Sequence, residues 1–374
     1  MIMFDRRLIK NFGWGIFLIA LTISFIGLIN LYSASYQTEL SAFKKQLIWS
    51  MFGLIGLILI SLLDYRLIKR YAFHIYIFSI LLLIFVLIMG KEVSGSRSWF
   101  SIGQYITIQP SEFVKISIIL VLARFYDNDF ENGPYGLRDL LKPFILVLIP
   151  VALIMFQPDL GTAAIVIMLS ASMVFFMGIR TKSIIFLLTL TLGFSAIGWK
   201  FILKDYQKKR ITTFIDSSQD PLGSGYNAIQ SQIAVGSGKL LGKGFKQGSQ
   251  TQLRFLPAQK TDFAFSVLAE EWGFLGGTAS LILYFLIILW ILDTASRSKN
   301  KFTMLTCFGI ATIFFWHIVI NVGMVIGLLP VTGVPLLLLS YGGSSTVTAM
   351  LGIGIVLGIR MRRSPAAKEA LELG

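Results

Sequence analysis

Hydrophobic positions in this chain do not alternate with polar ones at the spacing of a half-buried helix or strand. They run on for about twenty residues at a time, separated by short polar stretches. A run of that length, wound as α-helix, rises about 30 Å and crosses the hydrocarbon core of a bilayer. The pattern predicts spans near 13–32, 47–63, 72–89, 110–126, 141–157, 161–178, 183–203, 263–292, 303–328 and 340–360. The expected fold is therefore an all-α membrane protein, a polytopic bundle of about ten transmembrane helices. It forms a single domain over 1–374, with one large loop at 204–262 between the seventh and eighth spans. The first run, Gly13 to Leu31, follows Arg6, Arg7 and Lys10. It is too long for a signal-peptide core and no small-residue cleavage site follows it, so it is read as a helix.

Composition sharpens this picture. Charged residues make up 14% of the 374, where a soluble domain carries about a quarter, and 55% are hydrophobic. The net charge of +14 invites a nucleic-acid reading, but in a membrane protein the basic loops face anionic headgroups, and no nucleic-acid partner is expected. With the N-terminus inside, Arg66, Lys69, Arg70, Arg124, Arg138, Lys142, Arg180, Lys182, Arg297, Lys299, Lys301 and the tail arginines all fall on the cytoplasmic side. The short outer loops hold only Lys44, Lys45, Lys91 and Arg97, so both termini are expected in the cytoplasm. Cys307 is the only cysteine, which excludes an internal disulfide, and His74 and His317 are too far apart to build a zinc site with it.

The polar residues that interrupt the spans gather toward the outer side. A semi-polar segment at 91–109, with Trp99, Phe100 and Tyr105, is expected to lie along the interface. The nearly sixty-residue loop at 204–262 is too long to be a mere connection, which puts function on the outer face. Ionisable groups at membrane depth cost roughly 2.5–3.5 kcal/mol each, so each calls for a partner or a purpose. Glu112 and Lys115, three residues apart, share one helical face, either as a self-satisfying ion pair or as a substrate site. Asp159 opens the sixth span, as a plain N-terminal acid or as a functional one. Asp262 stands where the long loop enters the eighth span, with Lys260, Arg254 and Arg210 on the same side. That is a suitable setting for a general base facing an anionic substrate. Glu270 and Glu271 lie about two turns deeper and are expected to serve structure, and His317 to be a hydrogen-bonding group inside the bundle.

Two tempting patterns fail. Gly236 to Gly244 is glycine-rich with Lys239 and Lys243, but no register gives a phosphate-loop spacing. Tyr341-Gly342-Gly343-Ser344-Ser345 lacks the spacing of a nucleophile elbow and reads as a tightly packed helix entry.

These segments resemble, in order and over most of the chain, the SEDS family of peptidoglycan polymerases. The resemblance is carried by Arg97-Ser98-Trp99, Gln109-Pro110-Ser111-Glu112-Phe113-Val114-Lys115, and Gln157-Pro158-Asp159-Leu160-Gly161-Thr162. It continues through Arg210-Ile211, Asp220 to Asn227, Thr261-Asp262-Phe263, Glu270-Glu271, and Pro330 to Pro335 followed by Ser340 to Ser345. Thr332, and Ser249 to Arg254, are more similar to the elongation branch (RodA) than to the division branch (FtsW). Ala258-Gln259-Lys260 departs from the family's usual residues before Thr-Asp-Phe, which removes a histidine next to Asp262. The resemblance implies polymerisation of lipid II into a lipid-linked glycan strand at the outer face of the bacterial cytoplasmic membrane, beside a class B penicillin-binding protein. It implies Asp262 as general base, with Lys115, Arg97 and Arg210 as candidates to hold the pyrophosphates. A divalent cation such as magnesium could share that task near Glu112 or Asp159, though no spacing defines a metal site. The competing readings are a lipid II flippase, a division-type polymerase and a scaffold that only recruits the cross-linking enzyme.

Overall fold

The computed structural model describes residues 11–36, 40–93, 96–102, 106–128, 134–187, 189–190, 193, 208, 212–214, 224–256 and 258–362, without the side chains of 91–97, 101–102, 106 and 224. The apolar runs become α1 (Trp14–Ser35), α2 (Ser41–Leu62), α3 (Tyr65–Met89), α4 (Pro110–Asp127), α5 (Leu141–Phe156) and α6 (Leu160–Phe176). Within the long loop lie α7 (Ser224–Ser237) and α8 (Ser249–Gln252), and after it come α9 (Ala264–Ser296), α10 (Lys301–Val325) and α11 (Gly343–Met361). Among the described residues six helices, α1, α2, α3, α9, α10 and α11, are long and apolar enough to span a bilayer, and α5 and α6 are shorter apolar helices. The seventh expected span, 183–203, and the first part of the long loop fall largely outside the described residues.

The core is built by α4 and α10, which pack on each other and are wrapped by α3, α6, α9 and α11. In α4 even the polar Ser111, Glu112, Lys115 and Ser117 are buried. Glycine lets α11 approach α2 backbone to backbone: an added Cβ at Gly354 would sit 2.6 Å from the Leu57 carbonyl, and at Gly358 3.0 Å from that of Ser61.

The interfacial segment is not helical. It folds as three short antiparallel strands, β1 (Lys91–Val93), β2 (Ser96–Ile102) and β3 (Ile106–Ile108), with Phe100 opposite Ile108. The other named elements are all α-helical, as the apolar pattern predicts. β2 packs on α3, where the Phe100 and Phe85 rings lie 5.1 Å apart.

The two ends of the bundle differ in chemistry. At one end, basic side chains close the helix termini: Lys69 pairs with Asp127, Arg124 donates to the Lys69 carbonyl, and Arg362 donates to the Ser61 carbonyl at 3.0 Å. The other end gathers the β-strands, α7, α8 and the entries of α4, α6, α9 and α11.

Candidate functional site

The segment after α10, from Pro330 to Tyr341, contains no α-helix, yet Val334 and Leu336 to Ser340 are buried. Its carbonyls need donors in a setting without water. α10 supplies them from one face. His317 Nδ1 lies 2.8 Å from the Pro335 oxygen, and one turn later the Asn321 amide donates to the Val334 oxygen at 2.7 Å. The second hydrogen of that amide reaches the Asp262 main-chain oxygen at 2.8 Å.

Asp262 sits in the turn before α9 and is half-buried. The turn is pinned on both sides. Gln259 donates to the Ala34 carbonyl at the end of α1, and the Tyr341 amide donates to the Lys260 carbonyl at 2.9 Å. A Cβ placed on Gly333 would stand 3.6 Å from Asp262 Oδ2, so the carboxylate lies directly over that glycine. Lys260 follows the same turn. Partial burial, and then the charge of the exposed Arg254, hold its ammonium below the usual lysine range.

Asp159 caps α6, accepting from the Thr162 amide at 3.0 Å and the Thr162 hydroxyl at 2.8 Å. Gln109, just before α4, donates to its Oδ2 at 3.0 Å, and the Gln109 amide donates to Ser344 Oγ at 2.9 Å. α6 also meets the post-α10 segment, since a Cβ on Gly161 would lie 2.8 Å from the Thr332 oxygen. The entries of α4, α6, α9 and α11 thus converge around residues 330–345.

Glu112 and Lys115 form an ion pair at 2.8 Å, both almost fully buried, and Lys115 Nζ lies 3.0 Å from His317 Nε2. Both side chains are enclosed by protein. Arg210 lies outside the described residues; Arg97 is in β2, without a described side chain. Among the described residues no three His, Cys, Asp or Glu side chains form a metal-binding group. Asp159 spends both oxygens on Thr162 and Gln109, and Glu112 is paired with Lys115. Engaged in this way, the two acids do not fit a cation site.

Glu270 and Glu271 have built partners. Glu270 receives Lys243 at 2.8 Å, the Gln250 and Thr251 amides and the Thr251 hydroxyl; Glu271 receives Ser33 at 2.5 Å. Beside them α9 breaks at Gly273, with φ of 67° and ψ of −166°. The loop at 239–244 is spliced into the break. Its Lys243 and Gly244 amides donate to the carbonyls of Glu270 and Glu271, and its Lys239 and Leu240 carbonyls accept from Phe274 and Leu275. The apolar pattern predicts one span over 263–292 here. Hydropathy does not register such a break, because every residue around it remains apolar or paired. Gln109 enters the sequence pattern only as the first residue of the Gln109-to-Lys115 motif and Asn321 not at all, although two polar residues four apart in an apolar helix, His317 and Asn321, are a legible signal.

Fold and site together define a polytopic helical membrane protein with a pinned carboxylate and basic side chains at one end of the bundle. The chain matches the FtsW/RodA/SpoVE family, described as cell cycle protein, over residues 14–365, and it belongs to that family. It is 37% identical over 352 residues to the peptidoglycan glycosyltransferase MrdB of Escherichia coli (strain K12), covering 94% of each chain. It is 33% identical to the peptidoglycan glycosyltransferase RodA of Treponema pallidum (strain Nichols), over 96% of this chain and 99% of that one. A chain solved in work on the structural coordination of polymerization and crosslinking by a peptidoglycan synthase complex superposes with a TM-score of 0.82. It is 31% identical, with 95% of this chain and 99% of that chain covered.

Proposed function

We propose that this protein is a peptidoglycan glycosyltransferase of the elongation type, polymerising lipid II with Asp262 as general base. The supporting observation is the half-buried carboxylate of Asp262, held over Gly333 by a turn whose main chain is fixed by Asn321. In the reaction, the acceptor hydroxyl oxygen bonds to the donor's anomeric carbon while the bond from that carbon to the pyrophosphate oxygen breaks. The electron pair leaves with the pyrophosphate and the hydroxyl proton passes to Asp262. Pyrophosphate leaves well without an acid, so one base and positive charge suffice. Lys260 and Arg254 bring that charge to the Asp262 turn, and Arg97 and Arg210 are the further candidates. Glu112, Lys115 and Asp159 act as the frame of the site rather than as its ligands, since each is engaged by protein partners.

The whole chain acts as one membrane domain with both termini in the cytoplasm and the Asp262 end at the outer face. A class B penicillin-binding protein cross-links the strands it makes. Flipping would require a polar route through both halves, whereas the Glu112–Lys115–His317 and Asn321–Asp262 contacts lie toward the Asp262 end and, among the described residues, Lys69–Asp127 and Arg362 tie helix termini together at the other. The test is polymerisation of purified lipid II by the full chain, with and without a class B partner, resolved on gels. Glycan ladders support the reading; absence of polymer under both conditions, with intact protein, removes it.

A further inference from the structure

His317 is one of two histidines in the chain and is 1% exposed. Its Nδ1 faces the Pro335 carbonyl oxygen at 2.8 Å and its Nε2 faces Lys115 Nζ at 3.0 Å. A carbonyl oxygen can only accept, so Nδ1 carries the hydrogen, and Nε2 offers its lone pair to the Lys115 ammonium. The reversed tautomer would lose both bonds, and a ring protonated twice would set an N–H against the ammonium. The two contacts therefore specify each other.

An isolated Glu112–Lys115 pair would only neutralise itself. Through His317 it reaches Pro335, and Asn321, one turn along the same face, holds Val334 and Asp262. Two consecutive carbonyls are thus gripped by α10, and the residue before them, Gly333, is the one on which the Asp262 carboxylate lies.

We propose that His317 is a positioning residue for glycosyl transfer, fixing the Val334–Pro335 carbonyls, and with them the setting of Asp262, against the anchored Lys115. The proposal rests on Asp262 being the base, and its test separates the two. His317→Gln retains the polarity, with an amide oxygen for Lys115 and an N–H for Pro335; His317→Leu removes both bonds. Misplacement of about 1 Å can cost up to ~10²-fold, so His317→Leu is expected to lose at least ~10-fold in kcat, with KM for lipid II nearly unchanged. The Gln variant is expected to stay within about three-fold of the parent.

A His317→Leu protein that melts cooperatively and polymerises at the parental rate overturns the proposal. So does a folded Gln variant as impaired as Leu, or a loss confined to KM. A second measurement does not depend on how the Leu variant folds. In a His74→Gln background, 15N-histidine NMR of the full chain reports His317 alone. A protonated Nδ1 with an unprotonated Nε2 near neutral pH supports the proposal, and the opposite tautomer or a doubly protonated ring overturns it. If the parent itself makes no polymer, the enzymatic reading fails while the tautomer is still measured.

Discussion

Asn321 donates its side-chain amide to the main-chain oxygen of Asp262 at 2.8 Å, although the two residues are 59 apart in the chain. The other hydrogen of the same amide holds Val334, so one residue in a spanning helix joins the turn before α9 to the segment that follows α10. Replacing Asn321 with Leu would leave two carbonyls without that donor, each costing about 1–3 kcal/mol if nothing else satisfies it. The expected outcome is a lower melting temperature for the detergent-purified protein together with slower polymerisation. An unchanged rate would mean that Asp262 is held elsewhere.

Asp262→Asn retains shape and much of the hydrogen bonding but cannot take a proton. General-base catalysis is worth about 10²–10⁴-fold, so glycan synthesis from lipid II should fall by at least ~10²-fold. Membrane insertion and binding of the cross-linking partner should persist. Near-parental polymer on gels would dismiss Asp262 as the base.

Lys115→Met strands Glu112 in the bundle interior, and breaking a buried pair in this way typically costs about 3–5 kcal/mol. Adding Glu112→Gln removes the uncompensated charge, so the double variant should regain much of the melting temperature. It should not regain activity, because His317 still lacks its ammonium partner. A swap, Glu112→Lys with Lys115→Glu, should stay inactive for the same reason. Recovery of polymerisation by the swap would make charge balance alone the function of the pair.

Gly273→Ala tests the splice in α9. An added Cβ would stand 2.2 Å from the Gly242 nitrogen, at a positive φ that side chains rarely adopt. Backbone strain of this kind is worth about 1–3 kcal/mol before any clash. The yield of folded protein and its melting temperature should both drop, as should protection of the 239–244 amides in hydrogen exchange. Parental stability would show that the break is not fixed by that loop.

Topology is checked with single cysteines in a Cys307→Ala background. Ser249 is exposed at the Asp262 end and Lys299 is exposed at the basic end. Ser249→Cys should react with an impermeant thiol reagent in intact spheroplasts, and Lys299→Cys only after lysis. The reverse pattern would invert the orientation.

What the sequence determined by itself was set by solvent partition and local chain chemistry. A run such as Trp14–Ser35 is apolar on all sides, and lipid leaves it no option but a helix with its backbone bonds closed internally. Pro110 at the first turn of α4 and Asp159 capping α6 are equally local, so those starts could be read from one stretch of chain. The order of family motifs was legible for the same reason. The tertiary structure decided what lies across from what. Glu112 and Lys115 read alike as an ion pair or a phosphate site until the fold enclosed them and set His317 against the ammonium. Gly273 breaks α9 only because a loop thirty residues earlier returns to satisfy the open backbone groups. Asn321 acquires a role only when Asp262 and Val334 are brought to the same side of α10. Hydropathy records whether a residue leaves water, whereas a hydrogen bond depends on direction and distance, and those exist only once the helices have packed.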